Sequence, residues 1–93
     1  MVLLVRMTEK LTTAALCQLE LIAEHEVDAA VDAYMADPLA PTFVFREGYR
    51  LNLAKAVRRH PGADDVVSRG KVGPALVRPF VRAAILQARP DRG

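Results

Sequence analysis

Cys17, His25 and His60 are the side chains of this sequence that could in principle form a nucleophile and its base. A cysteine needs a neighbouring base or positive charge before its thiolate becomes an effective nucleophile. Cys17 lies in the most apolar stretch of the first half, where cysteine normally packs as a small hydrophobe, and His25 would lie two turns further along a helix on another face. We therefore expect no catalytic site and predict that the chain is not an enzyme.

His25, Asp28 and Asp32 form the best candidate for a metal site, because spacings of three and four residues place side chains on one face of a helix. An imidazole and two carboxylates can bind a divalent cation, but a stable site needs a further ligand, and the sequence supplies none nearby. Surface charge is the simpler interpretation. We therefore expect no metal ion.

The stretch SRGKVG (68–73) contains the Gly-Lys pair of a phosphate-binding loop. Such a loop needs a glycine five positions before Gly70 and a hydroxyl side chain directly after Lys71. This sequence has Asp65 and Val72 at those positions. We therefore expect no nucleotide and no other cofactor, and no motif indicates a small-molecule substrate.

The net charge of +2 results from two halves of opposite charge. Residues 1–45 hold two basic and seven acidic side chains, for a net charge of −5. Residues 46–93 hold eleven basic and four acidic side chains, for a net charge of +7. This division indicates either a basic surface for an acidic partner or two halves that pack on each other.

Each half also concentrates its charge along one helix face. The acids of the first half follow each other at intervals of four residues: Glu20, Glu24, Asp28 and Asp32. The arginines of the last predicted helix align on its flank: Arg78, Arg82 and Arg89. Like charges at these spacings are mildly unfavourable in an isolated helix. We predict that the two stripes meet, within one chain or across a dimer; two separately solvated faces are the alternative.

The elements that position these residues begin with a short strand and one long helix. The apolar run at 2–6 predicts a strand and is too short for a signal peptide or a membrane span. From a cap at Thr12 or Thr13, good helix formers continue to Asp37, before Pro38. The first half of this helix is apolar on several sides, since Leu19 lies on its apolar arc and Ile22 extends the apolar surface around it. We therefore expect this half to need cover from outside the chain.

A β-hairpin is predicted near 42–53. With a loop at 46–48, Phe45 faces Tyr49, and the large apolar side chains of the stretch share one face. Gly48 then lies where the loop needs a left-handed residue. A continuous helix over 43–60 is the alternative, and it would make the fold an all-α helical bundle.

The C-terminal half predicts three helical segments. The first covers LAKAVRRH and stops at Pro61-Gly62, the second ends at Gly70, and the last is amphipathic and ends before Pro90. The apolar arc that we expect this last helix to bury consists of Val77, Phe80, Val81, Ala84, Ile85 and Ala88. Whether the last helix begins at Pro74 or at Pro79 stays open, because proline suits the first turn of a helix. The whole chain, 1–93, is predicted to form one small α+β domain.

These features favour a non-enzymatic protein–protein interaction module, a small assembly subunit or regulator that binds itself or a larger protein. The predicted contact residues are the two charge stripes and three hairpin aromatics: Glu20, Glu24, Asp28, Asp32, Arg78, Arg82, Arg89, Phe43, Phe45 and Tyr49. The alternative is a small nucleic-acid-binding regulator that uses the basic half: Arg58, Arg59, Arg69, Lys71, Arg78 and Arg82. A single cysteine and no membrane-length apolar run lead us to expect a cytoplasmic protein without a membrane partner.

Overall fold

The computed structural model describes residues 11–39 and 42–92, and this part of the chain is mostly helical with a small antiparallel sheet, an α+β architecture. The strand predicted at 2–6 lies outside the described residues. The helices are α1 (Thr13–Gln18), α2 (Glu24–Ala36), α3 (Leu53–Arg59), α4 (Pro61–Arg69) and α5 (Pro74–Gln87). The strands are β1 (Phe43–Val44), β2 (Tyr49–Leu51) and β3 (Asp91–Arg92), with β2 in the centre of the sheet.

The prediction of one continuous helix from residue 13 to residue 37 is wrong, because the chain turns between α1 and α2. Glu20 adopts a left-handed conformation with φ 62°. The N–H groups of Leu21 and Ile22 both point back to the Leu16 carbonyl oxygen, at 2.9 and 3.4 Å. The turn buries Ile22, which is 1% exposed. Burial of this side chain offsets the backbone strain of a left-handed glutamate.

Side chains accept hydrogen bonds from backbone N–H groups at the N-terminal ends of both α1 and α2. Thr12 Oγ1 accepts a hydrogen bond from the Ala15 N–H at 3.1 Å, as expected for a residue that begins a helix. At the start of α2, Glu26 Oε2 accepts from the Ala23 N–H at 2.9 Å. The other oxygen of the same carboxylate, Oε1, accepts from the Arg46 N–H at 2.7 Å. Glu26 therefore joins the beginning of α2 to the hairpin turn.

The predicted hairpin is present, so the alternative of a continuous helix over 43–60 in an all-α fold is wrong. Phe43 pairs with Leu51, and the Phe45 N–H donates to the Tyr49 carbonyl oxygen at 2.7 Å. The turn at 46–48 is a single 3₁₀ turn in which Gly48 has φ 80°. That value belongs to the left-handed region, which glycine enters without a steric cost.

The large side chains of the hairpin meet the core to different extents. Phe45 and Leu51 are buried, whereas Phe43 and Tyr49 are half-buried and pack against the same core. The rings of Phe43 and Phe45 meet edge to face, with 5.0 Å between their centroids. The sequence did not indicate β3, which pairs with β2 and places Arg92 opposite Tyr49.

The helices of the second half follow the predicted order with one difference at Pro61. Pro61 ends the first segment as expected, but it also begins α4 directly, because His60 Nδ1 caps the new helix by accepting from the Ala63 N–H at 3.0 Å. Gly70 ends α4 in a left-handed conformation, with φ 70°. The last helix, α5, begins at Pro74 and contains Pro79 in its interior.

Helix α5 lies at the centre of the fold, where it contacts the other four helices. Its buried residues Val81, Ala84 and Ile85 form the middle of the apolar core. At its end, the Ala88 carbonyl oxygen accepts from the Thr13 N–H at 2.8 Å, which joins the last helix to the first. None of the helices in the described part of the chain is both long and apolar enough to cross a membrane.

Candidate functional site

The structure brings the acidic and arginine stripes together within one chain, at the contact between α2 and α5. The guanidinium group of Arg78 binds the carboxylate of Asp32, and that of Arg82 binds the carboxylate of Asp28. Residues at a spacing of four lie one turn apart on each helix, so two antiparallel helices of opposite charge can form two such pairs in register, Arg78 with Asp32 and Arg82 with Asp28. All four side chains remain partly exposed to solvent.

The remaining three members of the two stripes lie outside this contact. Glu20 lies in the turn between α1 and α2, where its backbone carbonyl oxygen accepts from Arg46 Nη2 at 3.1 Å. Glu24 is exposed at the first position of α2. Arg89 follows α5 and lies at the opposite end of that helix from Arg78. The contact thus joins the last two acids of the acidic stripe to the first two arginines of the arginine stripe.

Cys17 lies close to this contact, and its surroundings disfavour the thiolate. Burial raises the pKa of the Cys17 thiol, and the negative charges of Glu24 and Glu26 raise it further, while Arg82 opposes the shift. A thiol with a raised pKa is a poor nucleophile at neutral pH. Cys17 therefore lacks the positive surroundings that a reactive cysteine requires.

The residues considered for a metal site are used differently in the fold. Asp28 and Asp32 face arginines, and His25 is an exposed residue of the first turn of α2. Within residues 11–39 and 42–92, no three His, Cys, Asp or Glu side chains come together as a metal-binding group.

The hairpin aromatics offer less surface than the sequence suggested. Phe45 is 1% exposed and belongs to the core. Phe43 and Tyr49 are half-buried, and the guanidinium carbon of Arg92 lies 5.6 Å from the centre of the Tyr49 ring, within the range of a cation–π contact. Edge strands β1 and β3 are each two residues long, so they offer a short edge to an added strand.

Half of the residues considered for nucleic-acid binding pair with carboxylates of the chain itself. Arg69 Nη2 lies 2.9 Å from Asp65 Oδ2, one turn earlier on α4. Arg78 and Arg82 bind the acids of α2. The remaining members, Arg58, Arg59 and Lys71, are exposed, the first two on α3 and the third in the loop after α4.

A basic groove, which sequence reasoning missed, lies between β2, α3 and the end of α5. Its volume is about 670 Å³, within the range of about 300–1,000 Å³ that is typical of ligand sites. Its four cationic lining residues come from three parts of the chain, namely β2, α3 and the segment after α5: Arg50, Lys55, Arg59 and Arg89. Lys55 and Arg59, at a spacing of four, were the local signal; the other two join them through the tertiary fold. We call this site the basic groove.

The outer face of α5 carries a second notable feature, an exposed apolar pair. Leu76 is 66% exposed and Phe80 is 41% exposed, although the helical periodicity placed Phe80 on the buried arc. A Cβ atom at Gly62 would lie 3.3 Å from Phe80 Cδ1, so the ring rests close to the backbone at the start of α4. Because Gly62 has no side chain that could cover the ring, much of the Phe80 ring stays exposed to solvent.

Comparisons with known proteins found no relative of this chain. No protein-family model matches the chain, and neither a curated protein nor a solved structure proves similar to it.

Proposed function

We propose that this chain is a non-enzymatic protein-interaction module that binds a second copy of itself or a larger protein. The observation that supports the proposal best is the exposed pair of Leu76 and Phe80 on α5. Two large apolar side chains one helical turn apart form a continuous surface, because residues at a spacing of four are neighbours. Apolar surface of this kind, left in water, is typical of protein contact sites.

The turn between α1 and α2 provides further support. Leu19 was expected to lie on the apolar side of a continuous helix, and it is instead 59% exposed at the end of α1, whereas its neighbour Ile22 is buried. Of these two residues, Ile22 is covered by the chain itself, and Leu19 alone would need a partner to cover it. An exposed leucine at a rigid turn adds to the apolar surface available to a partner.

A pair of double variants tests the proposal. Leu76→Ser with Phe80→Ser removes the apolar pair, and Leu39→Ser with Val44→Ser makes the same chemical change at two exposed sites away from α5. We expect sedimentation over a range of concentrations, together with quantitative co-purification from cells, to show that the first double variant loses association. The second should associate like the wild-type chain.

The contrary outcome is equally clear. A wild-type chain that stays monomeric at every concentration, and whose co-purified proteins are the same for both double variants, would contradict an interaction surface on α5. Circular dichroism of both variants shows whether the fold is retained, which we expect because all four side chains are exposed.

A further inference from the structure

We infer that the basic groove binds an acidic segment of a partner protein, in which carboxylates flank an apolar side chain. The inference rests on the proposed function, because it names the chemistry of the partner that an interaction module would recognise. It also names a second surface, separate from the exposed pair on α5, so the two can be tested independently.

Charge is the first argument. Arg50, Lys55 and Arg59 line the groove with exposed side chains. Within residues 11–39 and 42–92, none of these three cations forms an ion pair with a carboxylate, in contrast to Arg78 and Arg82 on α5. Uncompensated cations gathered at one site raise the local positive potential and attract an anionic partner.

The shape and floor of the groove are the second argument. The apolar residues that line the groove are buried or half-buried, whereas its cations are exposed: Leu51, Ala56, Ala84 and Ala88. An apolar floor with cationic walls matches a segment that has an apolar side chain between acidic ones. Arginine guanidinium groups also bind carboxylates with two parallel hydrogen bonds, which adds orientation to the attraction.

The same lining favours a protein segment over a nucleic acid. Single-stranded nucleic acids bind along basic grooves in which aromatic side chains stack on the bases. Among the described residues that line the groove, none is Phe or Tyr. The groove is also a concave site bounded on three sides by β2, α3 and the end of α5, whereas a duplex presents its phosphates along an extended ridge.

The test is a titration followed by amide chemical shifts, which measures weak binding and locates it. The probe is an amidated peptide with a central leucine and two aspartates on each side, and its control replaces each aspartate with asparagine. The protein variants are Lys55→Gln with Arg59→Gln, which removes two groove cations, and Arg58→Gln with Lys71→Gln. The second variant removes the same charge from exposed residues that do not line the groove.

We expect the acidic peptide to shift the amides of residues 50–60 and 87–91 in a saturable manner. Loss of two exposed charge contacts should weaken its affinity about tenfold in the groove variant, and the matched variant should differ from wild type by less than about twofold. The asparagine peptide should produce no saturable shift.

Three results would overturn the inference. They are an equal loss of affinity in both variants, shifts that map away from the groove, and tighter binding of an oligothymidylate or of inorganic phosphate than of the acidic peptide. The proposed function has its own readout, because loss of association on substitution of Leu76 and Phe80 would stand even if the groove bound no peptide.

Discussion

The two arginine-rich regions at either end of α5 have similar side chains and opposite surroundings. At the α2 contact, Arg78 and Arg82 each bind an aspartate of the same chain. In the basic groove, Lys55 and Arg59 lie beside further cations, and Asp91 is the one carboxylate among the described residues that line it. The difference shows that basic side chains pair with acids of the same chain at one end of α5, whereas Lys55 and Arg59 at the other end have no such ion pair among the described residues.

The α2 contact and the basic groove also contribute to the free energy of unfolding with opposite signs. Exposed ion pairs such as those of Arg78 and Arg82 contribute about 0–1 kcal/mol each to the free energy of unfolding. Cations that lie near each other without compensation cost a few tenths of a kcal/mol (~0.2–0.5) per pair. The α2 contact thus stabilises the fold slightly, and the groove destabilises it slightly.

The largest expected effect concerns the core that supports both regions. Ile85 is fully buried on α5 between them, and Ile85→Ala should lower the free energy of unfolding by about 2–5 kcal/mol, since it leaves a cavity. Urea denaturation measures the change. Leu76→Ala, on the exposed face of the same helix, should change it by less than about 0.5 kcal/mol. Equal effects of the two substitutions would show that α5 does not have the buried face described above.

The next effect separates the two regions by charge reversal. Arg82→Glu should lower the free energy of unfolding by about 1 kcal/mol, because it removes the pair with Asp28 and places a like charge beside it. Arg59→Glu should leave the free energy unchanged or raise it slightly, since it brings a negative charge among cations. A second substitution, Asp28→Lys, should restore the stability of Arg82→Glu, but it should lower that of Arg59→Glu, because Arg82 then loses its partner and faces a like charge.

A smaller effect is expected when the groove is neutralised. Lys55→Gln with Arg59→Gln should raise the free energy of unfolding by a few tenths of a kcal/mol (~0.3) at low salt, because two crowded charges disappear. The gain should vanish at high salt, where charge interactions at the surface are screened. A destabilised variant in thermal denaturation at low salt would indicate that these cations have partners and would weaken the contrast with the α2 contact.

The pKa of the Cys17 thiol gives a second readout of the α2 contact, separate from the free energy of unfolding. Arg82 lowers the pKa of Cys17 against the larger opposing effects of burial and of Glu24. Arg82→Glu should therefore raise that pKa further and slow alkylation by iodoacetamide at a fixed, mildly alkaline pH. Arg59→Glu, in the groove, should leave the rate unchanged, and a similar slowing in both variants would point to net charge as the cause.

The hairpin could be predicted from the sequence because its determinants are local. Only one register put Phe45 and Leu51 on the same face, and Gly48 lay where the turn needed a left-handed residue. The break between α1 and α2 could not be predicted in the same way. Glu20 is a helix former at a regular charge spacing, and it turns the chain because Ile22 finds its place in the core.

The candidate sites also differ in whether their determinants are local in the sequence or depend on the tertiary fold. The pairing of Arg78 and Arg82 with Asp28 and Asp32 followed from spacings along single helices, which the sequence displays directly. The basic groove did not, because its cations come from distant parts of the chain. Phe80 also lay on the predicted buried arc, and its exposure depends on how α4 packs beside α5, which helical periodicity does not determine.

Glu26 links the local opening of two separate segments of the fold. One carboxylate oxygen protects the amide proton of Ala23 and the other protects that of Arg46, although these amides belong to a helix start and to a hairpin turn. Amide hydrogen exchange requires such a bond to break, and rotation of this one side chain breaks both. The two amides should therefore exchange with solvent at similar rates through a common event, and Glu26→Ala, which removes both acceptor oxygens, should accelerate both together. Two segments separated by the whole of α2 would in this way share one local unfolding equilibrium.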